Sequence, residues 1–130
     1  MADKLVSRKT GKLAKKVGFN WKCTDYVDIE VRTGNLSKDY EPDGFTNSFI
    51  GKDSKGFTLP TQTKLHKFLM DMGYYIQIKK HFTCYAYQVL KYNEYEDGNE
   101  LVVDEEHADF VSYELALEDG LFQTLELIKV

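Results

Sequence analysis

Residues 112–128, SYELALEDGLFQTLELI, set the strongest limit on what this chain can fold into. Tyr113, Ala116, Leu117, Gly120, Leu121, Thr124, Leu125 and Ile128 recur at helical spacing, while Glu114, Glu118, Gln123 and Glu126 lie away from them. Ser112 stands where an N-cap belongs. A stripe of this kind has to be covered. Gly120 inside it costs up to about 1 kcal/mol relative to Ala, which points to an element packed closely against that position. Residues 74–92, YYIQIKKHFTCYAYQVLKY, are the natural cover. Tyr74, Ile76 and Ile78 alternate with Tyr75, Gln77 and Lys79, and Tyr85, Tyr87 and Val89 alternate with Ala86 and Gln88. Period two predicts two strands, antiparallel, turning near Lys80 to Phe82. A hairpin is not stable alone and needs a helix against it.

Residues 60–72, PTQTKLHKFLMDM, carry a second helical stripe of Leu65, Phe68, Leu69 and Met72, with Pro60 at its start and Gly73 closing it. Residues 5–17 read as the first helix. Leu13, Ala14 and Val17 fall at helical spacing, Ser7 or Thr10 serves as cap, and Gly18 sits where a left-handed C-terminal glycine belongs. TDYVDIEV, residues 24–31, alternates as a half-buried strand, with Val27, Ile29 and Val31 on one side. In residues 32–58, FTNSFI and GFTL read either as short strands joined by the turn GKDSKG or as parts of a long surface loop. Asn93 to Asn99 reads as an acidic, turn-rich loop, residues 101–103 as a short strand, and Asp104 to His107 as a solvated acidic turn. The expectation is a single α+β globular domain over residues 1–130. It has a small, largely antiparallel sheet (hairpin about 74–92) covered by helices about 60–72 and 112–128, with an N-terminal helix about 5–17 at one edge.

At 130 residues the chain has one domain's length. MADKLVSRKTGK lacks the apolar run of a signal peptide, and no stretch is long enough to span a bilayer, so no membrane partner is expected. Two cysteines, Cys23 and Cys84, fit a reducing cytoplasm better than a disulfide framework. The net charge of −4 hides an asymmetry. Residues 1–22 hold seven Lys/Arg and one acid, whereas residues 93–119 hold eleven acids and no Lys or Arg. The two ends attract each other across the fold, serve different partners, or are simply two solvated faces, the plainest of the three readings.

Constellations that carry chemistry are weak. Cys23, Cys84, His66, His81 and His107 have no CxxC or HxxxH spacing, so no metal is expected. GKDSKG is not followed by the Ser or Thr of a phosphate-binding loop. Neither cysteine has a local nucleophile signature, and no carboxylate pair stands out. No cofactor, metal or catalytic residue is expected, and the chain reads as not an enzyme. Two binding surfaces remain. Arg8, Lys9, Lys12, Lys15 and Lys16, near Trp21 and Tyr26, form a candidate nucleic-acid contact. Leu115 and Phe122, off the main stripe of the last helix, form a candidate protein contact.

Three segments together carry a resemblance. SRKTGKLAKKVGFNWKC, TLPTQTKLHKFLMDMGYYIQI and SYELALEDGLFQTLELI resemble, in the same order, the opening, middle and ending of a group of small uncharacterised proteins of Bacteroides-type bacteria and their phages and prophages. Pro60-Thr61-Gln62 is the most specific match, because helical periodicity does not force it. The departures are Lys9 where an acid is usual, His66 and Phe68 in the second helix, and a long stretch between the first two helices. The resemblance implies an α+β domain of phage or mobile-element origin and supplies no catalytic residue. The expected function is therefore a non-enzymatic accessory protein in the bacterial host cytoplasm. It would bind a protein partner: a host or defence factor, or its own copies as a homo-oligomer. A nucleic-acid binder acting through the basic first helix, or a minor virion component, is the alternative.

Overall fold

The computed structural model describes residues 3–27, 46–50, 55–93 and 98–129, with residues 49, 50, 93 and 98–109 described by their backbone. In chain order the elements are α1 (Arg8–Val17), β1 (Asp25–Val27), α2 (Asn47–Ile50), β2 (Phe57–Leu59), α3 (Gln62–Asp71), β3 (Tyr74–His81), β4 (Cys84–Asn93), β5 (Gly98–Phe110) and α4 (Tyr113–Ile128). The fold is α+β, as expected. β3, β4 and β5 form an antiparallel sheet in that order, and β1 pairs with β2 in a second, two-stranded one. No helix among the described residues is long and apolar enough to cross a membrane.

The centre of the molecule follows from the stripe on α4. Ala116, Leu117, Gly120, Leu121, Thr124 and Leu125 are all buried. They share a core with Leu65 and Leu69 of α3 and with Ile76, Tyr87 and Val89 of the sheet. A Cβ on Gly120 would sit 2.7 Å from Ile76 Cγ2 and 3.3 Å from Tyr87 Cδ2. The glycine therefore lets α4 lie directly on β3 and β4, and that contact outweighs its helix penalty. Tyr87 is fully buried, yet its hydroxyl donates to Asp119 at 2.5 Å, so the ring adds apolar area while its polar end is satisfied. Tyr113, at the start of the stripe, is 48% exposed, and Met72 of the α3 stripe is 41% exposed, so both stripes are covered except at one end.

Caps and turns follow sequence closely. Ser7, Thr61 and Ser112 are the N-caps, and each accepts a backbone N–H three residues on. Gly18 and Gly73 take the left-handed conformation at φ 104° and 95°. Pro60-Thr61-Gln62 has a physical role. The Pro60 carbonyl accepts the Val6 N–H, the Gln62 N–H donates to the Lys4 carbonyl, and the buried Gln62 amide donates to the Glu114 carbonyl on α4. The three residues clasp the N-terminal segment and the last helix at once.

Three expectations change. Asn47–Ile50 of FTNSFI is a helical turn, not a strand, because the Asn47 side chain bridges two backbone groups: Nδ2 donates to the Phe19 carbonyl at 2.7 Å and Oδ1 accepts the Thr58 N–H at 3.0 Å. GFTL does contain a strand, but β2 pairs with β1 through Asp25↔Leu59 and Val27↔Phe57. The acidic stretch from Asp104 to His107 lies within β5, a 13-residue strand, and is not a turn. Its backbone pairs with β4 through Val89↔Val103, Gln88↔Asp104 and Tyr87↔Glu105, so pairing with a neighbour overrides the low strand propensity of acids. Residues 28–31 of the expected first strand, 51–54 of the expected turn and 94–97 of the expected acidic loop lie outside the described residues.

Candidate nucleic-acid interface

The site is built on α1, and α1 is seated by a glycine. A Cβ on Gly11 would lie 2.9 Å from Leu59 Cδ2 and 3.0 Å from the Thr58 carbonyl, so the helix rests on β2 at close range. Its buried face holds Thr10, Gly11, Leu13 and Ala14. Arg8 and Lys12 are four residues apart and so share the face next to that contact. Together with Lys9, they line a cleft of about 420 Å³ with Lys55, which comes in just before β2. Val27 and Phe57, a paired couple across β1 and β2, complete the lining. Among the described residues that line the cleft, four are thus cations and none is a carboxylate. Like charges brought together in a cleft with apolar walls raise the local positive potential and favour an anion.

The five basic residues singled out from sequence separate into two groups. Arg8, Lys9 and Lys12 face the cleft. Lys9 Nζ also stands 4.1 Å from the centroid of the Phe122 ring, a cation–π contact that ties α1 to α4. Lys15 donates to the Gly56 carbonyl at 2.6 Å. Lys15 and Lys16 line a neighbouring cleft of about 390 Å³ with Asn20, Asn47 and Ser48. Both lie in the last turn of α1, where a cation also complements the helix dipole. Of the candidate protein contacts, Leu115 is 44% exposed, whereas Phe122 is half-buried and packed against the core beneath Lys9.

The dipole at the other end of α1 is met from outside the helix. Its first turn carries no acid. Glu118 of α4 accepts from the Ser7 N–H at 3.1 Å and the Ser7 hydroxyl at 3.0 Å, and it also takes the Thr10 hydroxyl hydrogen bond. Two residues escaped the sequence reading of this site. The sequence places Lys55 only within a turn and Glu118 on the side of the last helix away from its apolar stripe. GKDSKG announces a lysine but not its neighbours. A glutamate on the polar side of a helix looks the same in sequence whether it meets water or another helix.

The remaining chemistry-bearing residues are dispersed. His66 accepts the Ile76 N–H at Nε2 (3.0 Å), and burial pushes its pKa below the usual 6.5. Cys23 is buried, its thiol pushed up by burial, and its Sγ donates to the Trp21 carbonyl at 3.6 Å. Cys84 Sγ donates to the His81 carbonyl at 3.2 Å, and neither cysteine is in a disulfide. His81 ends β3 and His107 lies on β5. Among the described residues no three His, Cys, Asp or Glu side chains come together as a metal site. No family model, no curated protein and no solved structure matches this chain.

Proposed function

We propose that this chain is a non-enzymatic accessory protein of a phage or other mobile element that binds nucleic acid in the bacterial cytoplasm. The cleft of Arg8, Lys9, Lys12 and Lys55 would grip the phosphate backbone. What supports the reading is the convergence of four cations from two separate segments, with no carboxylate among the described residues that line the cleft. The chain is acidic overall, at −4, so a cationic surface has to be kept apart from its acids to hold a polyanion. Phosphate gripping by lysines releases counterions and makes affinity fall with salt, with a log–log slope of roughly −0.7 for each phosphate contacted on a single strand.

The test is fluorescence anisotropy of a labelled oligonucleotide across a salt series, with the wild type beside Lys12→Glu and Lys55→Glu. Micromolar-range binding that weakens steeply with salt, and a clear loss of affinity in both variants, are expected. Salt-insensitive binding, or variants that bind like the wild type, would reject the reading. A protein partner, a host or defence factor or a second copy of the chain, is the second reading. Leu115, Tyr113 and Val111 favour it, being exposed at 44%, 48% and 78% around the start of α4. Recovery of a nuclease-resistant partner in a pull-down that Leu115→Glu abolishes would establish it.

A further inference from the structure

His66 lies in the middle of α3, yet its ring reaches the backbone of the next strand. Nε2 accepts the Ile76 N–H at 3.0 Å. A backbone amide can only donate, so Nε2 has to be without hydrogen, and the neutral ring carries its own on Nδ1. The strand pairing tells which side of β3 is involved. The Tyr92 N–H donates to the Gly73 carbonyl, and Tyr74 stands opposite Lys91. Alternation along an antiparallel pair then turns the odd-numbered amides of β3 toward β4 and the even-numbered ones away. Among the described residues β3 is an outer strand of its sheet. The Ile76 amide therefore belongs to the sheet edge, and the imidazole takes the place that a further strand would occupy there.

The seat of the ring is closed on one side and open on the other. The imidazole lies 5.4 Å from the Tyr75 ring at a tilt of 33°, and the Ile76 side chain beneath is buried in the core. A cleft of about 480 Å³ opens beside it. The charged and titratable side chains lining that cleft, among the described residues, are Lys67 of α3 itself, Asp3 and Lys4 of the N-terminal segment, Tyr75 of β3, and Tyr113 and Glu114 at the start of α4. Two ammonium groups and two carboxylates stand among them, and it is burial that disfavours the charged ring. A proton on Nε2 changes the contact in kind, because an acceptor becomes a donor aimed at a donor. The cleft gives the charged ring a way to water. We propose that His66 is a pH-operated latch: neutral, it fastens α3 to the outer edge of β3 through the Ile76 amide, and protonated, it lets go. Release returns one backbone donor to the sheet edge and frees the start of β3 from α3. The latch is closed above about 6.5 and opens as pH falls through the lower value held by the folded ring.

The experiment follows amide hydrogen exchange of the full chain by NMR from about pH 7.5 to about pH 5, across the range in which a histidine titrates. Exchange at Ile76 is read as a protection factor beside that at Gln77, whose amide faces β4, and the His66 ring is titrated in the same samples. Protection of Ile76 should fall roughly tenfold further than that of Gln77, the worth of one hydrogen bond, with the midpoint of the ring. His66→Gln offers a carbonyl oxygen that accepts without titrating, and it should keep Ile76 protected at both ends of the range. His66→Phe keeps a ring against Tyr75 but has no acceptor, and it should leave Ile76 weakly protected throughout. Equal falls at Ile76 and Gln77, protection of Ile76 that persists while the ring titrates, a pH response that survives in His66→Gln, or a ring that takes no proton before the chain unfolds would each overturn the latch. If a variant fails to fold, the wild-type titration decides by itself.

Discussion

The packing of α4 on β3 and β4 and the packing of α1 and α2 on β2 are two solutions to one problem. In the first, the contact is mainly apolar: Ile76, Tyr87 and Val89 meet the Leu117–Leu125 stripe, with Thr124 the polar side chain buried among them. In the second, Thr10, Asn47 and Thr58 are buried, and Glu118 and Lys15 add ties from the rim. Apolar packing tolerates small misplacements and is worth an amount that scales with area. Polar ties are worth little net when made and cost a great deal when one partner is removed. The cationic cleft sits on the polar region, where position is specified by individual hydrogen bonds.

Substitutions can break that contrast. Leu121→Ala, in the fully buried apolar stripe, should cost about 3 kcal/mol, read as a lower denaturant midpoint with the slope unchanged. Asn47→Ala should cost about 2 kcal/mol, because it orphans both the Phe19 carbonyl and the Thr58 N–H; a cost near zero would mean that water replaces the amide easily. The same variant should loosen β2 against α2 and so weaken oligonucleotide binding, whereas Leu121→Ala should leave binding intact in the folded fraction.

Two smaller effects sharpen the comparison. Glu118→Gln keeps the shape of the clasp but removes its charge from the start of α1, and about 1 kcal/mol should be lost. A double-mutant cycle with Ser7→Ala measures whether the two residues act as one unit. His66→Leu should change the pH dependence more than the stability at neutral pH. The folded imidazole holds its proton less tightly than the ordinary value of 6.5, so the unfolded chain binds more protons in the window below that value. The contribution is fully present above about 6.5 and is lost as pH falls through the folded value. Thermal melts of the wild type should therefore fall between neutral and mildly acidic pH, and His66→Leu should flatten that fall.

The difference between the two regions also explains what sequence makes legible. The α4 stripe, the α3 stripe, the 74–92 hairpin and the glycines at 18 and 73 are visible because apolar periodicity and positive φ leave a pattern in the residues themselves. The turn, expected near Lys80 to Phe82, falls at Phe82-Thr83. Lys55 is not legible because its neighbouring cations in the cleft come from another segment, and Asn47 and Glu118 are not because a polar side chain that bonds a distant backbone group has no period. Its partner is set by a fold that must already exist. Of β5 only residues 101–103 are legible as a strand, for a related reason: its partner β4, not its acidic composition, makes the rest one.

The clasp between Ser7 and Glu118 joins residues 111 positions apart. A ribosome delivers Glu118 on the order of ten seconds after Ser7 at ordinary elongation rates. The helix α1 is thus synthesised well before this clasp can secure it. Throughout that interval its lysine-bearing face can meet the cell's polyanions before the cleft that will organise it has been assembled.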